Sequence, residues 1–275
     1  MNMHDPRPEL GWLLDSFASV SLDELNAHSD MMSRIDNKYV VRRAALAQIV
    51  PDLVEQFDIL DIEGRRAFTY DTRYFDDAER SAYYEHHQGL RKGFKVRVRS
   101  YADAGPCFLE VKVKGKRGMT VKHRIPHDPS ASGHLSAAAT EFVHSTYGGH
   151  YGKPFRYDLR WVMDIRYKRI TLVAKQGGER MTIDTDLQFW SRDKHHCVGS
   201  NAFIVETKSA LGRGFADRCL RDIHERPTKK CSKYCIGMAT LGEVSRFNLF
   251  LPTMRKLDLV GAVPHPAEAL QRAAA

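Results

Sequence analysis

The chain has 275 residues, 43% of them hydrophobic, and a formal net charge of +8, enough apolar material to bury a sizeable core in one barrel-like domain. No apolar run approaches the roughly 18 residues of a membrane span, and the first residues, with Asp5 and Glu9, lack the apolar stretch of a secretion signal, so a cytoplasmic location is expected. Five cysteines (Cys107, Cys197, Cys219, Cys231, Cys235) without a CxxC pair suggest neither a disulfide framework nor a thiolate zinc site, and His195-His196-Cys197 taken with Cys231 and Cys235 matches no standard zinc spacing.

In chain order, Ser21-Leu-Asp-Glu24 has the spacing of a helix-capping box. Arg34 to Val41 predicts a strand with Arg34, Asp36 and Lys38 on one face and Ile35, Tyr39 and Val41 on the other. Residues 43 to 57 have helical composition interrupted at Pro51, Ala67 to Thr72 reads as a strand, and Tyr74 to Asp77 leads into a helix that Gly89 ends.

Next comes the most distinctive stretch. Between Arg91 and Arg124 there are eleven Lys and Arg against two acids, Asp103 and Glu110, so this segment alone exceeds the charge of the whole chain. Lys95, Arg97 and Arg99 alternate with Phe94, Val96 and Val98, while Glu110, Lys112 and Lys114 alternate with Leu109, Val111 and Val113, which gives strands with one apolar and one cationic face. Asp103 to Pro106 and Gly115 to Gly118 have turn composition, so the stretch predicts a three-stranded meander ending with Lys122 and Arg124. A solvated face is the ordinary reading of such a pattern. Like charges opposite one another are destabilising, however, and solvated faces usually mix signs. A face of nearly one sign therefore points to an anionic ligand.

Residues 126 to 135 predict a polar loop, Ser136 to Tyr147 a helix, Arg160 to Ala174 a long strand, and Arg180 to Leu187 its hairpin partner. Ala202 to Lys208 predicts a strand that sets Glu206 and Lys208 on the face of Ile204. A helix near Phe215 to His224, the segment Thr228 to Lys233, a helix over 236 to 251 and a loose tail from Pro264 complete the chain. Strands with one charged face recur near Lys38, Arg97, Lys112, Lys122, Arg180 and Glu206. Such strands close naturally into a barrel with a polar lumen, because closure removes edges. The expected fold is therefore α+β: a closed antiparallel β-barrel with a basic lumen and helices packed outside.

Lys95-Val-Arg-Val-Arg-Ser-Tyr101, Leu109-Glu-Val-Lys112, Tyr167-Lys-Arg169, Ile204-Val-Glu-Thr-Lys208 and Lys230-Cys-Ser-Lys233 occur in the order found in VTC domains. The chain thus resembles these polyphosphate polymerase modules of the CYTH/triphosphate tunnel metalloenzyme superfamily. The resemblance covers roughly residues 30 to 250. It divides the chain into an N-terminal extension (1–29), a tunnel domain (30–252) and a C-terminal tail (253–275), and implies a metal-dependent enzyme that transfers the ATP γ-phosphate to polyphosphate with release of ADP.

By the same resemblance, Lys38, Lys95, Arg97, Arg99, Lys112, Lys122, Arg124, Arg169, Arg180, Lys208, Lys230, Ser232 and Lys233 would bind substrate. Arg97, Arg99, Lys112, Lys230 and Lys233 would stand nearest the chemistry, and Glu206 and Glu110 would hold Mn²⁺ or Mg²⁺. Two departures matter. The superfamily's hydrolases usually carry ExExK on the first strand, where this chain reads Arg34-Ile-Asp-Asn-Lys38. The SPX domain and membrane helices of the eukaryotic complex have no counterpart in these residues, so the resemblance implies neither its regulation nor a membrane-protein partner.

Two other functions suit the same residues: a triphosphatase or polyphosphatase, and a non-catalytic binder of polyphosphate or nucleic acid. Nucleic acid is the less expected partner, because the basic strands lack an interleaved aromatic stacking platform. Individual residues also have purely structural readings. Glu110 and Lys112 could form an ion pair, Asp184 or Asp186 could orient an arginine, and Glu206 could be neutralised by Lys208, Arg97 or a metal.

Overall fold

The structure is a computed structural model, which describes residues 7–27, 35–115, 119–129 and 134–262. Arg34, the Gly115 to Gly118 turn beyond Gly115, part of the 126 to 135 loop and the tail from Pro264 lie outside the described residues.

The elements are α1 (Arg7–Leu14), β1 (Ser19–Val20), α2 (Leu22–Ala27), β2 (Ile35–Arg42), α3 (Arg43–Gln56), β3 (Phe57–Leu60), β4 (Phe68–Asp76), α4 (Ser81–Gln88), β5 (Phe94–Tyr101), β6 (Cys107–Lys114) and β7 (Thr120–Pro126). Then follow α5 (Ala137–Tyr151), β8 (Arg160–Ala174), β9 (Arg180–Ser191), β10 (Lys194–Cys197), β11 (Ala202–Ser209), α6 (Phe215–Asp222), α7 (Lys233–Thr240) and α8 (Leu251–Lys256). The fold is α+β, with antiparallel pairing except for the two-residue parallel match of β1 to β3. The strand order β2-β11-β9-β8-β4-β5-β6-β7 has two ends. Among the described residues nothing pairs β2 with β7, so the expected closure is not part of the recorded pairing. Alternation specifies which face a side chain takes, and that requirement is equally met by an open order.

Two compact units divide the chain, with residues of β8 and β9 in both. In the first (residues 1–68, 167–187 and 198–231), Tyr39, Val41, Ile170, Leu172, Met181, Ile183, Phe203 and Val205 turn to a core shared with Leu13, Leu46, Leu53 and Leu220 of the helices. The alternate residues of these strands, including Lys38, Arg169, Thr182, Asp184, Glu206 and Lys208, take the opposite face. In the second unit (residues 69–166, 188–197 and 232–275), Phe94, Val96, Leu109, Val111 and Val113 pack with Ala82, Ala139, Val143 and Tyr147. Helices thus cover the apolar side of the meander, and its cationic side faces away from them.

Three local expectations change. The helix expected to break at Pro51 runs unbroken from Arg43 to Gln56. Burial of Leu46, Ile49, Val50 and Leu53, each contributing about 1.5–3 kcal/mol, outweighs the roughly 3 kcal/mol that an internal proline costs. Tyr74 to Asp76 extends β4 instead of leading into a helix. The reason is Asp76, whose buried carboxylate accepts from the backbone N–H groups of Asp77, Ala82 and Tyr83 and so starts α4 from the strand end. The segment expected as one helix over 236 to 251 is divided: α7 stops at Thr240, Gly242 turns the chain with φ 66°, and α8 begins at Leu251.

The helix-covered face of the first unit is tied together by Asp217 of α6. Its carboxylate is fully buried and accepts from Asn37 Nδ2 (2.9 Å), Tyr39 Oη (2.6 Å), Thr207 Oγ1 (2.8 Å) and the Gly214 backbone N–H (3.2 Å). Asp217→Ala should strand these donors and lower stability by about 3 kcal/mol, read as a lower midpoint in denaturant unfolding; a loss under about 1 kcal/mol would show that the network is dispensable.

Candidate functional site

In the second unit the register places the cations in rows. Lys95, Lys112 and Lys122 stand directly opposite one another across β5, β6 and β7, and the next row reads Arg97, Glu110 and Arg124. Tyr74 continues that row on β4, and Thr72 stands opposite Arg99. Glu110 is fully buried, with Arg97 on its Oε2 at 2.5 and 2.7 Å and Lys122 Nζ 3.6 Å from its Oε1. Burial alone would raise its pKa, but the summed field of Arg97, Arg99 and Lys122 and the Arg97 hydrogen bond hold it at about 2. Glu110 is thus the counter-ion of Arg97 and Lys122 and does not pair with Lys112.

Lys112 is half-buried, and among the described residues no hydrogen-bond or ion-pair partner is recorded for its ammonium. The Arg97 charge, then desolvation, then Arg99 push its pKa well below the usual lysine range, against the opposing pull of Glu110. Lys122 is also lowered, by burial and by Arg124, Arg97 and Arg99. A set of cations that destabilise one another is suited to an incoming polyanion.

Several groups hold these cations in place. Arg97 donates to Tyr74 Oη at 3.0 Å, and Tyr74 stacks on Tyr234 with centroids 4.9 Å apart. Tyr234 Oη donates to Asp76 at 2.5 Å, and Lys95 Nζ lies 6.0 Å from the centre of the Tyr234 ring. Lys95 also donates to Ser232 Oγ at 3.0 Å, the same oxygen that caps α7 by accepting from the Cys235 N–H. Thus Ser232, with Lys233 as the first residue of α7, is brought to the cationic face. Aromatic rings also lie on that face, with Arg124 4.6 Å from the centre of Phe108 and Arg99 5.2 Å from that of Tyr70. Phe108 shares the parity of Glu110 and Lys112 and stands opposite Arg99 in the register.

In the first unit the charges are matched. Glu206 stands opposite Lys38 on β2 and opposite Thr182 on β9. Lys38 Nζ reaches Glu206 Oε2 at 2.5 Å, Lys208 Nζ contacts Oε1, and Lys208 also reaches Asp36 at 2.9 Å. Asp184 holds Arg169 bidentately at 2.6 and 2.7 Å, while Asp186 lies 3.7 Å from Lys168. Arg180 stands opposite Lys208 and donates to the Leu25 carbonyl at 3.4 Å. Lys230 is half-buried at a left-handed φ of 57°, two residues after Thr228, whose N–H donates to the Lys38 carbonyl at 2.6 Å.

Among the described residues no three His, Cys, Asp or Glu side chains converge as a metal cage, and this includes the His195, His196 and Cys197 set. A hard cation that draws most of its shell from phosphate oxygens and water needs fewer protein ligands. The residues around Glu206 fit that mode: beside its carboxylate, the Thr182 hydroxyl is buried without a hydrogen-bond partner. Glu110 also offers a buried oxygen without a hydrogen-bond partner, Oε1, with Lys122 Nζ 3.6 Å away, while Arg97 holds Oε2.

Tyr74, Asp76, Thr182 and Tyr234 were not singled out in the sequence. The signal for Tyr74 was the alternation of Thr72, Tyr74 and Asp76 past the expected end of β4; nothing local marked Thr182.

A family profile described as the VTC domain matches residues 33–242. A comparison with curated proteins gave no significant match. Among solved structures, the chain is similar to a candidate adenylate cyclase from Bacillus halodurans (11% identity, TM-score 0.47, covering 72% of this chain and 95% of that one). It is also similar to a candidate adenylyl cyclase from Hippeastrum, HpAC1, described as having a dominant triphosphatase activity (13% identity, TM-score 0.48, 74% and 94%), and to PH1819 from Pyrococcus horikoshii (11%, 0.42, 73% and 96%). At these scores no function is carried over from them.

Two outcomes follow from the electrostatics. Because the folded pKa of Glu110 lies below its ordinary 4.5, its ionisation stabilises the fold above that pH, by roughly 3 kcal/mol, and this is lost as pH falls toward 2. The acid limb of the stability profile should flatten in Glu110→Gln. Lys112, lowered instead, destabilises the fold while charged and less so as pH rises through its folded value, so Lys112→Met should raise the melting temperature without ligand and weaken tripolyphosphate binding at least about tenfold.

Proposed function

Because the chain belongs to the VTC domain family, we propose that it is a metal-dependent polyphosphate polymerase, transferring the γ-phosphate of ATP to a growing polyphosphate chain with release of ADP. The observation that carries this reading is the row of Lys95, Lys112 and Lys122, three like charges held opposite one another by register, with Lys112 lacking a recorded partner. A chain of phosphates supplies the missing negative charge.

Phosphoryl transfer asks of a protein mainly in-line positioning and neutralisation of charge on the equatorial oxygens. Arg97, fixed by Glu110 and Tyr74, and Arg99, beside Thr72, present guanidinium donors from a rigid sheet. Lys112 offers donors with no competing partner, and Lys95, with Ser232 and Lys233, approaches from the start of α7. Lys122 and Arg124 extend the charge along β7. On the charged face of the other unit, we assign Lys38, Arg169, Arg180, Lys208 and Lys230 to phosphate binding.

Glu206 and Thr182 would hold a bound Mg²⁺ or Mn²⁺, which would neutralise phosphate charge. No protein nucleophile is required, since the attacking group is the terminal phosphate of the chain. Residues 30–252 are taken as the working module, flanked by 1–29 and 253–275, in a cytoplasmic setting; no helix among the described residues is long and apolar enough to cross a membrane.

Water in place of the terminal phosphate would make the same site a triphosphatase, and Arg34-Ile-Asp-Asn-Lys38 where such hydrolases carry ExExK favours the polymerase. The test is to incubate the purified protein with ATP and Mn²⁺ or Mg²⁺. A polyphosphate ladder with stoichiometric ADP is expected, free phosphate alone would establish the hydrolase, and neither product would reject both. Glu206→Gln should remain folded and lose turnover by a hundredfold or more, about 3 kcal/mol of activation energy.

A further inference from the structure

Glu206 is held in a way that the meander cations are not. The alternate face of β11 puts it between Lys38, opposite on β2, and Thr182, opposite on β9. Both of its oxygens are engaged, Oε2 by Lys38 at 2.5 Å and Oε1 by Lys208. Asp36, itself opposite Lys208 in the register, takes a further Lys208 hydrogen bond. The four side chains sum to no net charge. On this face the lysines are therefore already committed to carboxylates, and a polyanion could recruit them only by competing with Glu206.

The second observation is the Thr182 hydroxyl. It is buried, it shares the face of Glu206, and it has no hydrogen-bond partner. An unsatisfied buried hydroxyl costs about 1–3 kcal/mol, so its persistence points to a ligand or ordered water at that position. A carboxylate and a hydroxyl on directly opposed residues of β11 and β9 are donors of the hard type that Mg²⁺ and Mn²⁺ take, with phosphate and water completing the shell.

We propose that Glu206 is an exchangeable latch. In the absence of a divalent cation it holds Lys38 and Lys208 as an internal counter-ion; when its carboxylate turns to a cation beside Thr182, it releases both ammoniums to the phosphate chain. This rests on the polyphosphate reading above and adds to it a coupling: cation and phosphate strengthen each other's binding through one carboxylate, reciprocally. Glu206 then has two partners of the same sign in alternation, and the lysines never face a bare carboxylate and a phosphate at once.

The latch makes an unusual demand on Glu206→Gln. In EDTA this variant should bind tripolyphosphate about tenfold or more tightly than wild type by titration calorimetry, since its lysines are already released. The gain should vanish in the triple variant Glu206→Gln, Lys38→Met, Lys208→Met. Thr182→Val should keep the wild-type affinity in EDTA and lose most of the increase that Mg²⁺ gives wild type. Wild-type or weaker affinity of Glu206→Gln in EDTA would overturn the latch, and so would a gain that survives in the triple variant, which would reflect lost repulsion alone.

A readout on the unaltered protein covers the case in which the variants fold poorly. Amine-reactive labelling of Lys38 and Lys208, followed by mass spectrometry, should rise several-fold on adding Mg²⁺ without phosphate. Unchanged labelling with normal tripolyphosphate binding overturns the latch alone, whereas a wild-type protein that binds no tripolyphosphate with or without Mg²⁺ overturns the polyphosphate reading as well.

Discussion

The crowding of like charge on one face of β5, β6 and β7 is the constraint from which the rest of the site follows. Register cannot relieve it. A slip of one residue would turn Val96, Val111 and Val113 out of their core with α5 and drive Arg97 and Lys112 into it. The apolar face therefore locks the cations opposite one another, and the repulsion must be met from outside the strands. Glu110 meets part of it, as its lowered pKa records. Lys112 carries the remainder, which is why its own pKa is depressed.

Fixing the cations also requires anchors that do not themselves neutralise them. Tyr74 accepts from Arg97, the Tyr234 ring lies near Lys95, and Ser232 accepts from Lys95. All three partners are uncharged, so they set direction without cancelling charge. Tyr234 and Ser232 belong to α7 and its cap, and the close seating of that helix depends on Gly237: a Cβ there would meet Met163 Cε at 2.3 Å and the Phe189 ring at 2.6 Å. A small residue in a helix thus bears on the geometry of a lysine on a strand.

The face that carries Glu206 follows the opposite rule. Arg169 is matched by Asp184, Lys168 by Asp186, and Lys38 and Lys208 by Glu206 and Asp36. Matched charge is stable without ligand, and unmatched charge is poised for one. The motifs that carry the sequence resemblance to VTC domains come from both faces, Lys95 to Tyr101 and Leu109 to Lys112 from the one, Tyr167 to Arg169 and Ile204 to Lys208 from the other. Their chemical environments, however, are distinct.

Alternation by itself determined that Lys38, Arg97, Lys112, Lys122, Arg180 and Glu206 lie on polar faces, because the side-chain period of a strand is local. The capping box at Ser21 and Glu24 was equally legible, since both partners lie within one turn. Only the tertiary structure decided the partners. That Lys95, Lys112 and Lys122 share a row depends on turn lengths, and that Glu206 meets Lys38 depends on a pairing between residues 168 positions apart. Pro51 stayed helical, and Tyr74 to Asp76 stayed in the strand, because burial and a distant helix start outweighed local preference. Closure of the strands depends on the meeting of the first and last, which no local period encodes. Sequence thus specified the faces, and the fold specified which charge each one meets.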